Sequence, residues 1–91
     1  MIHHPLDLPL SKHASVRCSQ ASISMEGLDF VLEFGVAHPC GRGCESYSFD
    51  RRSWNKAAKA FGAKIARLER YRNLYVIVAA DGTIVTADWR H

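Results

Sequence analysis

His13, Arg17 and Gln20 stand at i, i+4 and i+7, so on a helix they project from one side. The trio carries the groups for work on a phosphate: Arg17 as a bidentate clamp, His13 as general acid or base, Gln20 as a positioning donor. Metal-free cleavage of RNA needs removal of a 2′-hydroxyl proton, stabilisation of charge at phosphorus, and protonation of the leaving oxygen. Histidine suits this because its pKa lies near neutrality. Thr86, late in the last apolar run, adds a hydroxyl if the fold brings it near. The competing reading is structural, with His13 and Arg17 serving local carbonyls and carboxylates.

Charge is the second chemical signal. Residues 51–72 hold eight bases (Arg51, Arg52, Lys56, Lys59, Lys64, Arg67, Arg70 and Arg72) and one acid, Glu69. That is a local net of +7 in a chain of net +3, which leaves −4 for the remaining residues. A basic block on a mildly acidic body suits RNA or another polyanion, or an acidic protein partner such as an antitoxin. Lys56, Lys59, Lys64, Arg67 and Arg70 are the candidate phosphate contacts, with Gln20 and Arg90 beside them. A solvated helix face accounts for the same pattern. Near the C-terminus Trp89 has the shape to stack a base and Arg90 the charge to meet a phosphate, although Trp89 would equally seal a sheet edge. Tyr71, between Arg70 and Arg72, offers base stacking between cations or an ordinary core ring.

Other chemistries find less support. His38, Cys40 and Cys44 are three soft ligands within seven residues, but the second pair expected of a zinc site is missing, so no metal and no cofactor is expected. Gly41-Arg42-Gly43 lacks the Gly-Lys-Ser/Thr ending of a phosphate-binding loop. Three cysteines are a poor disulfide framework; Cys40 and Cys44 could meet across a tight turn, where a reducing cytosol would keep them as thiols. No apolar run reaches the roughly 20 residues of a membrane span, and the first residues lack a secretory pattern, so a cytoplasmic monomer or homodimer is expected.

These groups need elements to hold them. Ninety-one residues suggest one domain, with residues 1–10 as an extended lead-in. Ser11 caps a helix over Lys12 to about Gln20, and Ser24 caps a second, with Glu26 in its first turn and Gly35 as a left-handed stop. The two helices read as an αα-hairpin. Val36–Cys40 and Cys44–Phe49 flank Gly41-Arg42-Gly43 as a β-hairpin, whose first arm Pro39 confines to an edge strand or loop. Trp54, Ala57, Ala58, Phe61, Ile65 and Leu68 recur at helical spacing over 53–71, with Gly62 as a possible break. Runs 74–79 and 83–87 around Asp81-Gly82 form a second hairpin, apolar enough to predict central strands covered by helices. The order α-α-β-β-α-β-β predicts an α+β fold with a twisted, mainly antiparallel four-stranded sheet and helices on one face.

The run Ser11-Lys12-His13-Ala14-Ser15-Val16-Arg17-Cys18-Ser19-Gln20 resembles the Ser-x-His-Ala-x-x-Arg-x-x-Gln opening of the bacterial domain-of-unknown-function family 4258. The likeness continues through Ile23-Ser24, Val31–Gly35 and Val76-Ile77-Val78 with Asp81–Thr86, and so spans most of residues 11–90. Family members usually carry Arg-Gly where this chain has Ala21-Ser22. The family is similar in layout to the RelE/ParE-like toxins, several of which cut RNA without metal. The resemblance implies a RelE-like fold and a ribonuclease-like or toxin-like role.

Overall fold

In a computed structural model, residues 8–90 are described; residues 1–7 of the expected lead-in and His91 lie outside them. The Ser11 side chain accepts from the Ala14 N–H and starts α1, Lys12–Gln20. Ser24 does the same for α2, Met25–Phe34, accepting from the Gly27 N–H, with Glu26 placed where the helix dipole favours an acid. The pair does not form the expected αα-hairpin. α1 packs along the last strand, while α2 packs on the middle of the sheet and on the third helix. Gly35 is also not a left-handed stop: its φ of −73° and ψ of 173° are extended. Glycine is needed there for space, because a Cβ would stand 2.5 Å from the Val31 carbonyl oxygen.

The sheet is an antiparallel meander in the order β1 (Val36–Pro39), β2 (Glu45–Ser48), β3 (Leu74–Val78), β4 (Ile84–Trp89). The fold is thus mixed α+β, with helices packed on the sheet. β1 is an edge strand, as Pro39 requires. β3 is central, but β4 is the outer strand, which corrects the expectation that both members of the last hairpin lie inside the sheet. Among the described residues its far edge is occupied by residues 9–11 and α1. The Ile84 N–H donates to the Pro9 carbonyl at 2.8 Å, and the Ser11 N–H donates to the Ile84 carbonyl at 2.9 Å. The apolar run in β4 is therefore matched by helix and lead-in packing, together with a register shift that leaves Val85 without an opposite residue.

Between β2 and β3 the basic segment folds as α3 (Arg51–Phe61), a 3-10 turn (Gly62–Lys64), α4 (Ile65–Leu68) and a second 3-10 stretch (Glu69–Asn73). α3 begins two residues before the apolar periodicity because Asp50 and Ser53 form a capping box. The Ser53 N–H donates to Asp50 Oδ1 at 2.8 Å, and the Asp50 N–H donates to Ser53 Oγ at 3.0 Å. Gly62, at φ 60° and ψ −135°, ends the helix and turns the chain back towards the sheet.

Leu74, Val76, Val78, Ile84 and Ala87 line the covered face of the sheet. Against it sits an aromatic cluster centred on Phe30, whose ring centroid lies 5.0 Å from Phe49, 5.2 Å from Phe61, 5.7 Å from Phe34 and 5.9 Å from Trp54. Tyr71 closes the core at the other end of α2. Its hydroxyl accepts from the Ser24 N–H at 3.1 Å and lies 2.9 Å from Ser24 Oγ, and its ring lies over Gly27 so closely that a Cβ there would clash with Cε1. Gly27→Ala is expected to lose about 1–3 kcal/mol of stability through overpacking against this buried ring. Tyr71→Phe, which keeps the ring and removes the hydroxyl, is expected to lose about 1 kcal/mol. Urea unfolding measures both; an unchanged midpoint for Gly27→Ala would contradict this packing.

Candidate nucleic-acid interface

Cross-strand partners share a face of the sheet, so the register defines what the opposite face presents. One row runs His38, Ser46, Ile77, Thr86, and the next runs Val36, Ser48, Tyr75, Asp88. Tyr75, Ile77, Thr86 and Asp88 are half-buried and His38 is exposed. The described helices pack on the other side, where Leu74, Val76 and Val78 are buried.

α1 follows β4 in the same direction, tied at three successive levels. Ser11 Oγ donates to the Val85 carbonyl at 3.2 Å, Arg17 Nη2 donates to Asp88 Oδ2 at 2.8 Å, and Trp89 Nε1 donates to the Ala21 carbonyl at 3.1 Å. His13 precedes Arg17 by about one helical turn, ~5.4 Å, and Thr86 precedes Asp88 by two strand residues, about 6.8 Å. The parallel course therefore sets His13, Arg17 and Thr86 along one flank of the sheet. His13 is exposed and Arg17 half-buried. Arg17 is engaged with Asp88, and its Nη1 donates to Gln20 Oε1 at 3.3 Å, so Gln20 orients the guanidinium. The structural role weighed for Arg17 is present in the fold.

The residues expected on the basic helix divide among several places. Lys59 and Lys64 are exposed on α3 and the turn after it. Lys56 lines a cleft of about 210 Å³ with Arg52, Phe34 and Val36. Arg67 forms an exposed 2.9 Å ion pair with Glu26. Arg70 lies over the Trp89 ring at 4.7 Å and over Tyr71 at 5.3 Å. Tyr71 itself is buried, which removes it as a stacking platform and gives it to the core. Trp89 packs on Tyr71 with ring centroids 5.6 Å apart, so it closes the edge between β4 and the helices.

Sequence reasoning placed Arg90 among the phosphate contacts but missed the cleft that it lines with two further arginines. Arg51, Arg72 and Arg90 line one cleft of about 460 Å³ together with Phe49, Asp50 and Asn73. It opens at the end of the sheet where β2 exits, β3 enters and β4 exits. The Arg90 N–H donates to the Asn73 carbonyl at 2.6 Å, extending the β3–β4 ladder by one pair. Arg72 rests over the Trp54 ring at 5.5 Å, which holds it in place without spending its hydrogen-bond donors. Among the described residues Asp50 is the one acid lining the cleft, and its Oδ1 accepts from the Ser53 N–H and hydroxyl. Hydrogen bonds from the Ser53 backbone and hydroxyl hold the Asp50 carboxyl below its usual range. Among the described residues, no ion pair involves Arg51, Arg72 or Arg90. Arg51 and Arg72 are the first and last residues of the basic block; the signal that could have found them is the turn at Gly62, which returns the block's end to its beginning.

Among the described residues no three His, Cys, Asp or Glu side chains gather where they could hold a metal ion, so His38, Cys40 and Cys44 do not form one site. Among the same residues no helix is long and apolar enough to cross a membrane. No protein-family model matches this chain, and no curated protein or solved structure is significantly similar to it.

The Arg17–Asp88 and Arg67–Glu26 ion pairs differ in setting. A double-mutant cycle on Arg17 and Asp88, half-buried and tied also to Gln20, is expected to give a coupling of about 1 kcal/mol, against less than about 0.5 kcal/mol for exposed Arg67 and Glu26. Equal couplings would mean that Arg17 is not locked to β4. Asp50 also makes a pH prediction. Its folded pKa is depressed, so the capping box stabilises above the unfolded value and is lost as pH falls through the folded one. Asp50→Ala is expected to unfold at lower urea than wild type at neutral pH, with the gap closing below about pH 4. A gap that persists into acid would rule this out.

Proposed function

We propose that this chain is an RNA-directed domain that seats a phosphodiester backbone at the end of the sheet, in the cleft of Arg51, Arg72 and Arg90. The observation that carries the reading is that three arginines from three separate segments line one cleft, with no acid paired to any of them among the described residues. Like charges repel, so gathering them costs stability unless an anion is bound. Guanidinium is also the side chain whose planar donors match phosphate oxygens in pairs. The sheet face beside the cleft offers Tyr75 as a half-buried ring for base contact. The motif likeness to family 4258, and through it to RelE-like toxins, supports RNA over other polyanions and a RelE-like layout for the sheet and helices.

Cleavage is a second reading, supported by the line of His13, Arg17 and Thr86 on the α1–β4 flank. In it His13 takes or gives the proton, and Arg17, oriented by Asp88 and Gln20, stabilises charge at phosphorus.

Fluorescence anisotropy with a labelled single-stranded RNA tests binding. Affinity is expected to fall with salt at a slope of about −2 in log–log form, as for about three phosphates on a single strand. Arg72→Ala with Arg90→Ala is expected to weaken binding at least about tenfold and flatten the slope by about 1.4. No binding at low salt, or an unchanged affinity in the double variant, would remove the RNA reading. In EDTA, wild type is expected to fragment the RNA and His13→Ala to bind it intact. Intact RNA with both would leave binding and dismiss cleavage.

A further inference from the structure

The β1–β2 hairpin ends in Cys40-Gly41-Arg42-Gly43-Cys44, outside everything assigned above. Gly41, Arg42 and Gly43 take φ values of 94°, 54° and 78°, three successive left-handed residues that fold the tip tightly back. The Cys40 N–H donates to the Cys44 carbonyl at 3.1 Å, and the Cys44 N–H donates to the Gly41 carbonyl at 2.9 Å. Cys40 and Cys44 are therefore the next cross-strand pair after Pro39 and Glu45. Hydrogen-bonded antiparallel partners have Cα atoms about 5.5 Å apart, inside the ~4.4–6.8 Å window of a disulfide. Cys40 is exposed and Cys44 half-buried, so a small reagent reaches the pair, whereas Cys18 is on the buried face of α1.

The tip is also held from outside. Gly43 lies against the β3–β4 turn, where a Cβ would come within 2.9 Å of the Ala80 methyl.

From this geometry we infer that Cys40 and Cys44 form a reversible dithiol–disulfide site, oxidised by low-molecular-weight disulfides such as glutathione disulfide. The thiolate of one cysteine attacks a sulfur of glutathione disulfide, expelling one glutathione thiolate and leaving a mixed disulfide on the protein. The second cysteine thiolate attacks the protein sulfur of that bond and expels the other glutathione thiolate. The protein loses two electrons and two protons; glutathione disulfide gains both and leaves as two glutathione molecules. Excess glutathione reverses each step. Partial desolvation and the adjacent Cys44 sulfur push the Cys40 thiol above its usual value, which slows the exchange at neutral pH without changing its products.

The test treats the folded chain with excess glutathione disulfide, quenches by alkylation, and reads intact mass and peptide maps. Wild type is expected to lose two hydrogens, carry no glutathione, and show one bond between the Cys40 and Cys44 peptides, with Cys18 still a thiol as the report of an intact fold. Cys40→Ser and Cys44→Ser are each expected to hold one glutathione that the wild type sheds. Reduced wild type is expected to bind phenylarsine oxide, which needs two adjacent thiols, and either single variant to lose that binding. A stable glutathione adduct on wild type, a covalent dimer, or two cysteines that stay free and ignore the arsenical would overturn the inference.

Discussion

Tyr71 is the residue on which the arrangement of this fold turns. Its hydroxyl meets Ser24 at the start of α2, its ring covers Gly27, and its other side carries Trp89, whose indole N–H reaches the end of α1. One side chain thus joins both N-terminal helices, the 3-10 stretch before β3 and the end of β4. Because Tyr71 points inward, the neighbouring Arg70 and Arg72 must point elsewhere. Arg70 lies over Trp89, and Arg72 lies over Trp54 beside the cleft. The position of the cationic site is a consequence of how the core is closed.

The same closure separates two kinds of arginine. Arg17 and Arg67 have carboxylate partners and hold one element to another. Arg72 is supported by an aromatic face, which restrains the guanidinium while leaving its donors for a ligand. Charge counted along the chain does not distinguish these roles, since each residue adds +1. The distinction lies in what the fold sets beside each group.

Much of the architecture was legible in residue order. The caps Ser11 and Ser24, the Asp-Gly turn and the apolar spacing from Trp54 to Leu68 mark elements that form where expected, because each depends on local hydrogen bonding or on a period. The errors were of a different kind. Gly35 looked like a helix stop and is instead a point of close approach to the Val31 carbonyl. The apolar run in β4 looked central and is an outer strand whose edge α1 closes. The break at Gly62 was legible, but not that the two ends of the basic block come to line one cleft.

What residue types and their spacing determine here is the set of elements, the antiparallel hairpins and the presence of a strongly basic segment. They also place His13, Arg17 and Gln20 on one side of α1, since a helix has only one period. Only tertiary structure decided which cations gather. Arg51 and Arg72 are separated by a helix and its return, and Arg90 arrives from the end of β4; their meeting depends on a reversal at Gly62 and on the β3–β4 register. Neither leaves a periodic mark on the sequence, because both are set by how whole elements pack against Tyr71 and the Phe30 cluster.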